Sequence, residues 1–193
     1  MNVVIFGSPG AGKGTQAQLL ARANNLSHLS SGELSRQLLG DKVLGEQLKR
    51  YLSSGRLIPN KIIIKIVEDH IEKNKRVAGF IFDGYPRTLG QARELDRLAK
   101  RSQTEIHLVI NLQLSQSEAL KRILLRGKRS GRADDNITTV KTRLQVYQRE
   151  TKPVLDYYRQ QGKLITIDGR PAIKEIAQKI QKLFEQRLAS LNK

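Results

Sequence analysis

Short, continuous apolar runs recur along the chain and are separated by longer segments. The runs cover residues 3–6, 77–82, 106–110 and 164–167, and they are rich in β-branched residues. Continuous rather than alternating runs of this length are typical of strands that are buried on both faces of a sheet. A briefer candidate strand lies at His28 and Leu29.

The segments between the runs carry apolar residues at intervals of three and four, which places them on one face of a helix. The clearest positions are Ile62, Ile63, Ile66, Val67, Ile71, Leu120, Ile123, Leu124, Ile173, Ile176, Ile180 and Phe184. Alternating strands and helices predict an α/β fold. Its core would be a doubly wound parallel sheet flanked by helices, with ligands bound at the carboxyl ends of the strands.

Two segments interrupt this alternation. Residues 30–59 hold two short helical patterns and a turn but no strand of their own. Residues 126–135, "RGKRSGRADD", contain no apolar residue larger than alanine. Loops of this kind on a rigid sheet are candidates for mobile covers over a binding site.

Length and composition narrow the class of protein. A chain of 193 residues is long enough for one α/β domain with a sizeable core. The absence of cysteine excludes disulfides and cysteine-ligated zinc. No apolar stretch approaches the roughly 20 residues of a membrane span. The chain also enters a strand directly, without a targeting pattern, so we expect a cytoplasmic protein that does not contact membranes.

The charge balance points to anionic ligands. Lys and Arg number 35 against 18 Asp and Glu, a formal net charge of +17. Such an excess suits nucleic acid or small polyanionic substrates. Because aromatic residues make up only 5% and do not alternate with basic ones, we expect no stacking of single-stranded bases. Nucleic acid is therefore the less favoured ligand.

The segment after the first apolar run, "GSPGAGKGTQ", joins a predicted strand to a predicted helix. Its spacing Gly7-x-x-x-x-Gly12-Lys13 is that of a phosphate-binding loop. The glycines let backbone N–H groups converge on an anion, and the lysine adds a full positive charge. The chain departs from the general pattern at Gly14, because the expected hydroxyl comes one residue later, at Thr15.

A second signature, "GFIFDGYPRTLGQA", is a buried run that ends in an aspartate and is followed by a helix. Asp83, at the end of a strand beside a phosphate loop, is placed to hold Mg²⁺ directly or through its waters. Arg87 follows the rigid Pro86 and can offer two parallel N–H groups to a phosphate.

More arginines are predicted to face the same site. Arg122 and Arg126 lie four residues apart and therefore share a helix face. Arg143 falls near the buried side of its helix, where an unpaired guanidinium would be costly. It therefore needs a ligand or an acidic partner, for which Asp134 and Asp135 are candidates. The scattered His70 and His107 lie in apolar patterns and are expected in the core rather than in catalysis.

Five segments together resemble the adenylate kinase family of nucleoside monophosphate kinases, in order and in spacing. They are "GSPGAGKGTQ", "SSGELSR", "GRLIP", "DGYPRTLGQA" and "RGKRSGRADDN". The resemblance covers essentially the whole chain. It implies a P-loop NTPase type of fold and a reversible, Mg²⁺-dependent phosphoryl transfer from ATP to AMP that yields two ADP. It further implies a monomer with a core at 1–29, 60–125 and 137–193, a monophosphate-binding arm at 30–59 and a short lid at 126–136.

The resemblance also implies roles for individual residues. Those on ATP would be Gly10, Ala11, Gly12, Lys13, Gly14, Thr15, Arg122, Arg126 and Arg170. Those on AMP would be Ser31, Arg36, Arg56, Leu57, Ile58, Gly84, Tyr85, Pro86, Arg87, Gln91, Arg132 and Arg143. The catalytic cations would be Lys13, Arg87, Arg126, Arg132 and Arg143, with Asp83 holding Mg²⁺ through water. The short lid leaves no room for the zinc site of long-lid relatives.

Three alternatives stay open at this point. A UMP or CMP kinase of the same fold is the nearest, although Thr88 and Gln91 favour AMP as the acceptor. A P-loop GTPase would need an Asn-Lys-x-Asp motif, and neither Asn60-Lys61 nor Asn74-Lys75 continues in that way. An RNA-binding module would rest on the +17 charge alone.

Overall fold

The computed structural model describes residues 1–74, 76–130 and 133–191. Its strands are β1 (Asn2–Gly7), β2 (Ser27–Ser30), β3 (Phe80–Asp83), β4 (Ile106–Gln113) and β5 (Leu164–Asp168). They form one five-stranded sheet in the order β2-β3-β1-β4-β5, and all neighbouring strands are parallel. The predicted parallel sheet is therefore confirmed, including the short strand at His28 and Leu29.

Helices connect the strands and continue beyond the last one. They are α1 (Lys13–Asn24), α2 (Ser31–Gln37), α3 (Gly45–Ser54), α4 (Asn60–Lys73), α5 (Leu89–Arg101), α6 (Gln116–Ser130), α7 (Ile137–Val146), α8 (Lys152–Gln160) and α9 (Ile173–Leu191). Single turns of 3₁₀-helix lie at Leu38–Gly40 and Ala133–Asp135, and a π-helical turn at Tyr147–Thr151 joins α7 to α8. No helix in the described part of the chain is both long and apolar enough to cross a membrane.

The sheet has a separate apolar core on each of its two faces, as a doubly wound fold requires. On one face, α1 and α9 contribute Ala17, Leu20, Ile176, Ile180 and Phe184 to a cluster with β1 and β4. On the other face, α4, α5 and α8 contribute Val67, Leu95, Val154, Leu155 and Tyr158. Because both faces are covered, the central strand reads as an unbroken apolar run.

The register of the sheet decides where a site forms. Ile5 of β1 lies opposite Asp83 of β3, and Gly7 lies opposite Leu112 of β4. The carboxyl ends of the three central strands therefore meet at one edge, where the order of connections reverses on either side of β1. A crevice at such an edge is where ligands bind in open α/β sheets.

Two predicted boundaries and one predicted burial were wrong. The strand predicted at 77–82 begins only at Phe80, because residues 77–79 form the turn before it. The run at 164–167 is not buried on both faces. It forms an edge strand with one neighbour, and Ile165 is 37% exposed. The segment predicted as a loop from 126 is helical as far as Ser130, since α6 continues through it.

Candidate active site

The loop between β1 and α1 has the backbone geometry of an anion cradle. The Ala11 N–H donates to the Ser8 carbonyl at 3.0 Å, which closes a tight turn before the helix. Gly10 has a φ of +88°, and a Cβ there would lie 2.5 Å from the Ala119 carbonyl oxygen, so only glycine fits. The loop consequently packs directly on α6 and presents the N-terminal end of α1.

Lys13, the first residue of α1, lies over this loop. Its Nζ donates to the carbonyl oxygens of Gly7 at 2.8 Å and Ser8 at 3.1 Å. Burial and nearby arginines lower the pKa of the ammonium to about 8, despite the opposing attraction of Asp83. An added anion would relieve this unfavourable charge, so the lysine is suited to binding phosphate.

The unusual glycine at position 14 has a structural reason. A Cβ on Gly14 would lie 3.2 Å from the Asp83 Oδ2 atom, so the glycine lets α1 approach the end of β3. Burial would raise the pKa of the Asp83 carboxyl. The adjacent His28 ring, with Nε2 at 3.6 Å from Oδ2, and the Lys13 charge outweigh burial and lower the pKa below its ordinary value. Asp83 is therefore an ionised carboxylate beside the phosphate loop.

Arg87 is held in the turn between β3 and α5. Its Nε donates to the Gly84 carbonyl at 2.7 Å, and the Ser31 hydroxyl donates to the same oxygen at 2.6 Å. Gly84 has a φ of +72°, and a Cβ there would lie 2.8 Å from an Nη of Arg87. Burial and the charge of Arg143 lower the pKa of Arg87 to about 10. The guanidinium is thus fixed in place and poorly compensated, as expected of a group that binds an anion.

A pocket lies between the arm and the end of β3. Predicted AMP-binding residues line it, namely Ser31, Arg56, Leu57, Ile58, Gly84, Arg87 and Gln91. Gln91 is 2% exposed, and its side chain accepts a hydrogen bond from the Arg87 N–H at 2.7 Å and donates one to Asn60 Oδ1 at 2.8 Å. The Gln91 amide that lines the pocket is therefore held in one orientation and does not rotate freely.

An acidic pair, Asp134 and Asp135, compensates arginines at the segment that was predicted as a lid. Asp135 Oδ1 and Oδ2 accept two hydrogen bonds from Arg126, each 2.7 Å long, and Oδ1 also accepts one from Arg143 at 3.0 Å. Asp134 Oδ2 lies 3.3 Å from Arg143 and 3.8 Å from Arg36 of the arm. The prediction of acidic partners for Arg143 is confirmed. The hydrogen bond to Asp135 also raises the pKa of Arg126.

Arg122 of α6 contacts the loop that follows β5. Its guanidinium donates to the carbonyl oxygens of Gly169 at 2.9 Å and Arg170 at 3.3 Å, and its Nε bonds to Glu118 at 2.8 Å. These contacts orient the loop after β5 beside α6. The Arg170 side chain is paired with Asp168 instead, at 2.7 Å.

Some of the predicted site residues come together around one cavity, and others do not. A central cleft is lined by Gly7, Lys13, Leu57, Gly84, Pro86, Arg87 and Arg143. Tyr85 is 1% exposed and belongs to the apolar core, and it is its neighbours Gly84 and Pro86 that line the cleft. Arg132 lies outside the described residues. His70 in α4 and His107 in β4 are half-buried, and neither lines the central cleft.

Three residues around the site were not anticipated from the sequence. Asn60 bonds to Gln91, and His28 approaches Asp83. The Thr151 hydroxyl in the π-helical turn donates to the Arg87 carbonyl at 3.0 Å. The contacts to Gln91 and Arg87 span 31 and 64 positions. A short strand signal marked His28, whereas Asn60 and Thr151 carry no local signal beyond their proximity to prolines.

Comparison with known proteins places this geometry in one family. The family model for adenylate kinase matches residues 5–163. An adenylate kinase of Parabacteroides distasonis is 41% identical over 182 residues, covering 94% of this chain and 96% of the relative. One from Corynebacterium urealyticum is 41% identical over 179 residues, covering 92% and 96%. Adenylate kinase 1 of Synechocystis is 40% identical over 184 residues, covering 95% and 96%. With matches that span nearly the whole of both chains, this chain belongs to the adenylate kinase family.

Proposed function

We propose that this protein transfers the terminal phosphoryl group of Mg²⁺-bound ATP to AMP, reversibly, and yields two molecules of ADP. One observation carries the proposal beyond family membership. The central cleft beside the phosphate loop and the pocket under the arm adjoin each other and share Leu57, Gly84 and Arg87. Two nucleotides bound in these cavities would meet phosphate to phosphate at Arg87.

The charges at this junction suit the reaction. Lys13, Arg87 and Arg143 line the central cleft, and Arg126 and Arg36 approach it from the lid and the arm. Transfer to a phosphate acceptor needs no general base, because the attacking oxygen is already anionic. It needs alignment and neutralisation of charge. Fixed guanidinium groups supply both, since they make directed hydrogen bonds and hold their charge at neutral pH.

The residues present fit a magnesium ion at the end of β3. The Asp83 carboxylate is kept ionised beside Lys13 and lies next to the backbone at Gly14, where the phosphates of ATP would rest. Oxygen ligands of this kind, with water between, are those that Mg²⁺ prefers. When bound, the ion would neutralise charge on the transferred phosphate. We assign no zinc to the protein.

We assign the remaining residues by their position. The loop residues Gly10 to Thr15 would wrap the ATP phosphates, and Arg122, Arg126 and Arg170 would serve the rest of ATP. Ser31, Arg36 and the segment 56–58 would hold AMP, with Gln91 against its base. Arg132 would join Arg126 and Arg143 around the transferred phosphate. The arm at 30–59 and the lid at 126–136 would close over the site and exclude water, which otherwise would accept the phosphoryl group.

We further propose that the protein acts as a monomer in the cytoplasm. All the side chains assigned above come from one chain, so the site needs no residue from a second copy. The substrates are soluble nucleotides, which require no membrane contact.

A coupled assay with Mg²⁺, ATP and a panel of AMP, CMP, UMP and GMP tests the proposal. AMP should be the preferred acceptor, and chelation of Mg²⁺ should abolish turnover. Preference for UMP or CMP would replace the proposal with the pyrimidine alternative. A bisubstrate mimic, two adenosines joined by five phosphates, should bind tightly, and undetectable binding would contradict the two-nucleotide arrangement.

A further inference from the structure

The amide of Gln91 is held at both of its ends by groups from outside its own helical turn. Its Oε1 accepts the Arg87 N–H at 2.7 Å, and its Nε2 donates to Asn60 Oδ1 at 2.8 Å. Asn60 is the first residue of α4, 31 positions away, and its Oδ1 is also within 3.4 Å of the Thr88 hydroxyl. The Thr88 hydroxyl accepts the Gln91 N–H at 3.2 Å, so its own proton is directed to Asn60.

These hydrogen bonds are linked in series, and each one fixes which end of the next side-chain amide is oxygen and which is nitrogen. A backbone N–H can only donate, so Arg87 dictates that oxygen, not nitrogen, of the Gln91 amide faces it. The nitrogen then needs an acceptor, which Asn60 provides. A reversed Gln91 amide would set donor against donor at the Arg87 N–H, and it would set acceptor against acceptor at Asn60 unless that amide also reversed. Buried polar groups left unpaired in this way are costly.

These hydrogen bonds leave one N–H donor and one acceptor lone pair of the Gln91 amide available to a ligand in the pocket. Amide nitrogen carries two hydrogens and amide oxygen two lone pairs, and one of each is used above. Gln91 lines the pocket under the arm. Its remaining N–H and lone pair form a fixed pattern that matches a base edge with an adjacent acceptor and donor. Adenine presents such an edge through N1 and its 6-amino group.

We propose that Asn60 is a specificity-determining residue, which holds Gln91 in the orientation that selects a 6-amino purine over a 6-oxo purine. This inference rests on the proposed function, in which AMP occupies the arm pocket. Hypoxanthine, the base of IMP, differs from adenine only at position 6 and at N1. There it presents an acceptor and a donor in the reverse order. A fixed Gln91 meets it donor to donor, whereas a reversible Gln91 would accept both bases.

Kinetics with AMP and with IMP as acceptors, at saturating Mg²⁺ and ATP, test this role. In Asn60→Ala the ratio of kcat/KM for AMP to that for IMP should fall about fivefold, the factor that one neutral hydrogen bond represents. Asn60→Asp keeps an acceptor oxygen toward Gln91 and should keep the wild-type ratio. Asn74→Ala is the matched control, because it removes an asparagine bonded to the His70 carbonyl at the far end of the same helix.

Calorimetric binding of AMP and IMP to the same variants should reproduce the change in ratio. Asn60 is exposed at the start of its helix, so its alanine variant should melt within about 3 °C of wild type. An unchanged AMP-to-IMP ratio in Asn60→Ala, with wild type active on AMP, would overturn the inference alone. A fall in the AMP-to-IMP ratio of kcat/KM in Asn60→Asp or in Asn74→Ala would also overturn it. A wild-type protein inactive on AMP would overturn the proposed function, and this role with it.

Discussion

Arg87→Ala is the substitution that separates a catalytic guanidinium from a structural one. The Arg87 Nε donates a hydrogen bond to the Gly84 carbonyl. Its two Nη groups make no hydrogen bond within the described residues. These two groups would bind phosphate at the junction of the two nucleotide cavities. We therefore expect kcat/KM for AMP to fall at least ~100-fold, which corresponds to about 2.7 kcal/mol of lost transition-state stabilisation.

The stability of the same variant should hardly change. The Gly84 carbonyl keeps its hydrogen bond from Ser31 at 2.6 Å, so no buried acceptor loses its last partner. Removal of Arg87 also relieves its repulsion with Arg143, which together with burial lowers the Arg87 pKa to about 10. We expect the melting temperature without nucleotides to stay within about 2 °C of wild type or to rise, as is common when a functional charge is removed.

The assay pairs initial rates across a range of AMP concentrations with thermal unfolding of the unliganded protein. Arg97→Ala is the control, since Arg97 is an exposed arginine of α5 that bonds to Glu94 at 2.6 Å and lies away from the cleft. Its kcat/KM should stay within twofold of wild type. Near-normal kinetics in Arg87→Ala would refute its assignment, and a large fall in melting temperature would make its role structural.

Other perturbations test the surrounding charges and supports. ATP should bind more weakly above pH 8, up to about tenfold per unit, because unliganded protein loses the Lys13 proton that bound phosphate would retain. Calorimetry in two buffers measures the proton uptake, and pH-independent affinity from 7 to 9.5 would contradict this. Asp135→Asn should cost about 2 kcal/mol, or roughly 4–8 °C in melting temperature, because its carboxylate is buried between two guanidinium groups. Asp134→Asn, with longer contacts, should cost less than half as much, and equal shifts would refute the assignment. Thr151→Val should lower kcat about fivefold by releasing the Arg87 carbonyl, and Thr151→Ser should restore it. A serine variant as slow as the valine variant would show that the hydroxyl is unimportant.

The local pattern of the chain was sufficient to predict the fold class and the glycine-rich turn from β1 into α1. Strands buried on both faces require consecutive apolar residues, and helices packed on one face require intervals of three and four. Both signals depend only on residues that are close together in the sequence. The loop from Gly7 to Thr15 is equally local, since its glycines and lysine act within one turn. Even the partners of Arg143 could be anticipated, because Asp134 and Asp135 lie within nine positions of it.

Boundaries and exposure depended on neighbours that local pattern does not specify. The run at 164–167 has the composition of a buried strand, yet it lies at the sheet edge because no further strand follows it in the order. Similarly, Tyr85 lies in a motif associated with ligand binding, but its side chain fills the core under α4 and α5. In both cases the local pattern indicated one environment, burial for the strand and ligand contact for the tyrosine, and the position in the fold imposed another.

The amino-acid sequence by itself determined the class of fold, the glycine-rich loop between β1 and α1 and the excess of basic residues. Only the tertiary structure decided how those groups are held: Asn60 on Gln91, Thr151 on the Arg87 carbonyl and Gly14 against Asp83. Apolar periodicity and glycine spacing express the conformational preferences of adjacent residues. A hydrogen bond between residues 64 positions apart exists only after folding has brought their helices together.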